Sequence, residues 1–258
     1  MAIASPHLPL LILLLASACI VASYVLTFRS GVLVPLGGRL VTPPISLLMF
    51  NGTGRIIGQL GFPAVSLLFA LLVPSLRRGL RMALEGYPGH ELTVGIGIVS
   101  ACISFAGLAV VGALPLQPDI VMVMIGQAAL STDSIVHQSA AVVFFLGAIV
   151  HMITWLKLTL SVDSRCVLSR ARAPRSFYLK CVSCLFSFFP LPTAFLLHPA
   201  SPVRARLKLT EADQGGIQQY MLVLCVASFF ASYTLEFRIF QRLESEAQQK
   251  EQKDLKQE

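Results

Sequence analysis

The sequence predicts an all-α fold: a polytopic integral membrane protein built as a bundle of six transmembrane helices, with both termini in the cytosol. Composition, block length and the placement of basic residues carry that reading. The 258 residues are 55% apolar and only 13% charged, with a mean hydropathy of +0.74; soluble domains carry about a quarter charged residues. Six apolar blocks are each about 21 to 23 residues long, close to the roughly 20 that cross a 30 Å hydrocarbon core at 1.5 Å per residue. Backbone amides cannot stay unpaired in lipid, so each block is expected to be a helix.

The first block, Leu8–Phe28, contains Ala16-Ser17-Ala18, which has the small-x-small form of a signal-peptidase site. No basic flank precedes it and its apolar run continues past that point, so it reads as a retained span. The second, Ile56–Leu76, holds Pro63 and Pro74, which should kink or thin the helix. The third and fourth are Leu92–Leu114 and Val136–Leu158. Between them, Ile120–Leu130 is apolar but too short to span; it is expected at the interface, a seventh crossing being the alternative. The fifth, Phe177–Leu197, contains Pro190 and Pro192, and the sixth is Ile217–Phe237. These blocks make a transmembrane domain over residues 1–240. A tail over 241–258, rich in Glu, Gln and Lys and without an apolar face, is expected to be a solvated cytosolic extension, either helical or disordered.

Basic residues set the orientation. With the N-terminus inside, the cytosolic segments hold Arg77, Arg78, Arg81, Lys157, Arg165, Arg170, Arg172, Arg175 and Lys180, and the tail adds Arg238, Arg242, Lys250, Lys253 and Lys256. Only Arg29, Arg39, Arg55, Arg204, Arg206 and Lys208 fall on the other side, and the bias favours N-in, C-in. The net charge of +7 is spread between apolar blocks rather than gathered in one patch, which argues against nucleic acid as a partner. Asn51-Gly52-Thr53 is a glycosylation sequon on the side assigned to the lumen. Cys181 and Cys184 have the C-x-x-C spacing, yet no second pair accompanies them and they lie in an apolar span. They read as small packing residues, and neither a metal site nor a cofactor motif is predicted.

The most suggestive polar cluster opens the fourth span: Ser131-Thr132-Asp133-Ser134-Ile135-Val136-His137-Gln138. Asp133 and His137 stand at i and i+4 on one helical face. A carboxylate beside an imidazole at a membrane surface can orient a general base, and this pair is the candidate catalytic set. The plainer alternative is a helix cap from Ser131 or Asp133, with His137 in the headgroup layer. Gln219 and Tyr220 open the sixth span at the same level and are candidates, with Asp133 and His137, for a luminal pocket. His151 lies deep and needs a partner on another helix. At the opposite level Arg77 and Arg81 share a face and, with Arg78, are candidates for a lipid phosphate; topology anchoring is the alternative. Glu236 either pairs with a neighbouring arginine or reaches water.

The run Ser131 to Gln138, followed by Phe144-Phe145 and His151-Met152, resembles the start of the fourth helix in the FGF-receptor-activating-protein/DRAM family, and within it the post-GPI-attachment-to-proteins factor 2 branch. Pro44-Ile45-Ser46 followed by Arg55, Pro74 with Arg77, Tyr178-Leu179-Lys180, and Gln219-Tyr220…Phe229…Glu236-Phe237 are similar to further stretches of that family. Gln219 departs from it, standing where a carboxylate is usual. The resemblance implies six helices, a Golgi or endoplasmic reticulum location, and work on the lipid part of GPI-anchored proteins. It implies membrane lipids, GPI-anchored proteins and a membrane partner protein as partners. Lysosomal or plasma-membrane adaptors, which regulate autophagy or recruit a phosphoinositide kinase, are the competing branches. A transporter is disfavoured, because no internal repeat and only one clearly deep ionisable residue are present. The orientation has a direct test: in sealed microsomes, external protease should remove tags from both termini together, and protection of either one overturns it.

Overall fold

A computed structural model describes residues 3–29, 44–49, 52–114, 116–117, 129–169, 171, 173–190, 202, 206 and 211–255. Asn51, most of the 120–130 stretch and residues 191–197 of the fifth block lie outside the described residues. The helices are α1 (Leu8–Arg29), α2 (Ile45–Leu48), α3 (Gly52–Ala83), α4 (Glu91–Ala113), α5 (Thr132–Ser161), α6 (Pro174–Phe186), α7 (Glu211–Ala231) and α8 (Tyr233–Asp254). Among the described residues, five helical stretches are long and apolar enough to cross a membrane: Leu8–Thr27, Gly52–Ala83, Glu91–Ala113, Thr132–Ser161 and Gln214–Asp254.

Local chemistry explains where the helices stop. α3 outruns its apolar block at both ends and passes through Pro63 and Pro74. Its arginines are good helix formers that reach water, so it continues until the turn at Gly86, whose φ of +82° only glycine adopts freely. Ser131 caps α5, its hydroxyl accepting from the Ser134 amide at 3.3 Å. α6 opens with Pro174 in its first turn and ends at Phe186. A ring at Pro190 has no N–H for the Phe186 carbonyl and would collide with it in a longer helix. The last helix continues, with a break only at Ser232, through most of the tail, the helical one of the two alternatives.

The termini share one end of the bundle. The Ile3 amide donates to Glu244 at 3.0 Å, the Ala4 amide to the Ser75 hydroxyl at 3.0 Å, and Gln241 Nε2 to the Ala4 carbonyl at 3.3 Å. Glu244 also pairs with Arg78 at 3.0 Å, so the start of the tail is docked rather than free in solvent. At the other end the Thr27 hydroxyl donates to the Leu48 carbonyl at 2.8 Å, and the Ile45 amide to Gln219 Oε1 at 2.9 Å. α5 therefore finishes at the end where α3 finishes, and α7 starts at the opposite one. α6 lies between those ends, with Ser176 beside Glu236 and its C-terminal side leading to Pro190. The Pro190 carbonyl already accepts from Gln218 Nε2 at 3.3 Å.

In lipid, helices gain little from burying apolar surface against each other and depend on close packing, which small residues permit. α4 and α5 form such a seam. A Cβ at Gly107 would stand 2.8 Å from the Ala140 carbonyl oxygen and the Phe144 amide nitrogen; one at Gly147 would stand 2.9 Å from the Ser100 oxygen and the Ser104 nitrogen. The Ser104 hydroxyl crosses the seam to the Phe144 carbonyl at 2.7 Å. Beside it Phe69 stacks on Phe105 with centroids 3.7 Å apart, and Phe230 meets both edge-on. One substitution at two positions tests the seam. Gly107→Ala should cost about 1–3 kcal/mol by overpacking and lower the melting temperature in detergent. Gly95→Ala, in the same helix with nothing within 4 Å, should be neutral or slightly stabilising.

Candidate functional site

His137 is the polar centre of the end opposite the termini. It lies in the second turn of α5, only 2% exposed, and turns inward rather than into the headgroup layer. Its Nδ1 is 2.7 Å from the Leu114 carbonyl at the end of α4, and its Nε2 is 3.2 Å from the Ser46 hydroxyl on α2. A carbonyl can only accept, so the neutral ring carries its proton on Nδ1 and offers a lone pair at Nε2. The Ser46 hydroxyl is then the donor. Gln219, whose Oε1 accepts from the neighbouring Ile45 amide, stands beside this pair.

A groove of about 350 Å³ opens on these residues. Its polar end is Ser46, His137, Gln138 and Gln219, and its wall continues along Ala141, Val142 and Phe145 of α5. Val142 is 56% exposed on the outer face of the bundle, the face a membrane would cover. The groove thus joins a hydrogen-bonding head to an apolar flank open at the side. That shape suits an amphiphile lying with its chain in the bilayer.

The sequence candidates divide. His137 and Gln219 share the groove, but Asp133 does not join them. Its carboxylate is exposed and accepts from Gln117 Nε2 at 3.3 Å, while both His137 ring nitrogens are engaged elsewhere. The shared helical face brings Asp133 and His137 to one side of α5, but the inward turn of the imidazole separates their partners. Tyr220 packs against the core, and its buried hydroxyl has no hydrogen-bond partner among the described residues. At the other end Arg77 and Arg81 line a groove of about 840 Å³ with Glu85, His90 and Glu91, over a floor that includes Val94 and Ile98. Arg78 points away from it, to Glu244. Cys184 is buried and Cys181 half-buried, and among the described residues no group of three metal-ligating side chains forms.

Sequence reasoning missed a buried ion pair. Lys180, counted there as a cytosolic topology lysine, is fully buried, its Nζ 2.7 Å from Glu236 Oε1 and 2.7 Å from the Ser176 hydroxyl. Ser176 donates to the same carboxylate oxygen. Tyr233 lies under the ammonium with its ring centroid 4.8 Å away, and the Trp155 and Phe229 rings flank it. The Tyr233 hydroxyl in turn donates to His151 Nε2 at 2.5 Å, and His151 Nδ1 donates to the Gly97 carbonyl at 2.6 Å. His151 does find its partner on another helix, as its depth requires. The signal for the ion pair was available: Ser176 and Lys180 are spaced i, i+4, and Glu236 needed a cation.

This architecture defines an integral membrane protein of the polytopic, all-helical class. The family model described as the Frag1/DRAM/Sfk1/Cwh43P N-terminal domain matches residues 4–240, nearly the whole chain, and the protein belongs to that family. Among curated proteins and among solved structures, none is significantly similar to it. The Lys180–Glu236 pair lends itself to a double-mutant cycle. Lys180→Met alone strands a buried carboxylate and should cost about 3–5 kcal/mol. Adding Glu236→Leu should recover most of that loss in thermal melts of detergent-solubilised protein.

Proposed function

We propose that this protein handles the lipid part of GPI-anchored proteins, taking it into the groove at His137 in a lumen-facing end of a six-crossing bundle. The observation that carries the reading is the groove itself, where Ser46, His137 and Gln219 meet an apolar wall open to the bilayer. Family membership adds a membrane setting. The similarity of the run Ser131 to Gln138 to the post-GPI-attachment branch supplies the substrate class. The arginine count supports the orientation, with Arg77 and Arg81 at the cytosolic headgroup level and the groove in the luminal leaflet. Golgi or endoplasmic reticulum membranes are the compartments where such a substrate is processed.

Lipid analysis of GPI-anchored proteins from cells lacking this chain tests the proposal. Their acyl or ceramide composition should change, and re-expression of the wild-type chain should restore it. His137→Ala, expressed at equal level, should restore it roughly a hundredfold less efficiently, the scale of losing a positioned proton acceptor. An unchanged composition overturns the reading and favours a membrane adaptor, whose activity would follow the charged tail instead.

A further inference from the structure

Several hydroxyls inside this bundle are satisfied within their own helix. Ser66, Ser100 and Thr159 donate to carbonyls three or four residues back in their own helices, at 2.9, 3.0 and 3.2 Å. Ser46 is different. It is half-buried, lines the groove, and hydrogen-bonds to an imidazole 91 positions away. The imidazole is itself held by a third group, the Leu114 carbonyl, which keeps the proton on Nδ1 and the lone pair towards Ser46. Nucleophile, base and orienting group thus stand in the order that activates a serine, with a main-chain carbonyl in the place often taken by a carboxylate. Gln219 adds a donor. Its Oε1 accepts from the amide of Ile45, the residue before Ser46, and Gln219 lines the same groove as Ser46. An amide there is suited to an oxyanion.

We infer that Ser46 is a catalytic nucleophile that receives a fatty-acyl group from a glycerolipid ester and passes it to the hydroxyl of a lysolipid. The inference rests on the reading that the groove admits lipid. Ser46 Oγ attacks the ester carbonyl carbon while its proton moves to His137 Nε2. The carbonyl electron pair shifts to oxygen, where the Gln219 amide donates to it. Collapse breaks the bond to the glycerol oxygen, which leaves with the proton from His137, and the acyl chain remains on Ser46 with its tail along Ala141, Val142 and Phe145. In the second half a lysolipid hydroxyl attacks the acyl-serine, His137 takes its proton, and that proton returns to Ser46 Oγ. One ester is consumed and one is made, with no change of oxidation state. Asp133 has no part in this scheme.

A long-chain alkyl fluorophosphonate, which phosphonylates activated serines irreversibly, reads the nucleophile without knowledge of the substrate. On the full-length chain in lipid–detergent micelles, the label should map to Ser46 by peptide mass spectrometry. It should be absent in Ser46→Ala and at least about a hundredfold slower in His137→Ala, both with the wild-type melting temperature. Label that maps elsewhere, or no label, overturns the inference; this outcome does not depend on whether a variant folds. The two proposals also fail separately. Labelled Ser46 with GPI lipids unchanged in cells lacking the chain keeps the nucleophile and removes the GPI substrate. Altered GPI lipids that Ser46→Ala restores in full keep the groove's role and remove the nucleophile.

Discussion

Inside hydrocarbon a polar group without a partner costs on the order of several kcal/mol, because no water can reach it. That constraint reaches well beyond the backbone in this protein. A hydroxyl that bridges two helices needs their main chains close together, so the Ser104 bond to the Phe144 carbonyl and the glycines at 107 and 147 belong to one solution. Lys180 and Glu236 answer the same demand more expensively. Desolvating both charges is offset by their contact, by Ser176 and by three aromatic faces. What such a pair supplies is registry: α6 and α8 can slide past each other only by exposing a charge to lipid.

The two histidines of α5 show how one pattern serves two ends. Each uses Nδ1 to reach a carbonyl of α4, Gly97 or Leu114, and each presents Nε2 to a hydroxyl, Tyr233 or Ser46. His151 is sealed, stacked on Phe230 with ring centroids 5.1 Å apart, and its hydroxyl partner is itself fully buried. His137 has a similar hydrogen-bonding arrangement with a groove beside it. Access, rather than the identity of the partners, separates a structural imidazole from one available for chemistry.

Helices declared themselves in the sequence because length and hydropathy are summed properties that tolerate local exceptions. The first, third and fourth spans match within a few residues. The second overran its block because arginine ends apolarity without ending a helix. Charge composition made the tail look like independent solvated chain, but Glu244 had two specific partners, Arg78 and the Ile3 amide, that no composition encodes. The candidate residues that line the groove were legible one at a time: His137 and Gln219 by polarity in apolar surroundings. Their assembly was not, since Ser46 and His137 are 91 residues apart and only the helix neighbours decide that they touch. Asp133 shares a helical face with His137, but its hydrogen bond goes to Gln117, on the segment that follows α4.

The clasp between residues 3–4 and 241–244 has a bearing on biogenesis. A contact spanning 241 positions cannot form while the carboxyl-terminal portion is still inside the ribosome. Residues 3–4, just ahead of α1, gain these partners only after the segment carrying residues 241–244 has been made and released. Docking of residues 3–4 on that segment is therefore a later event than the synthesis of α1 itself.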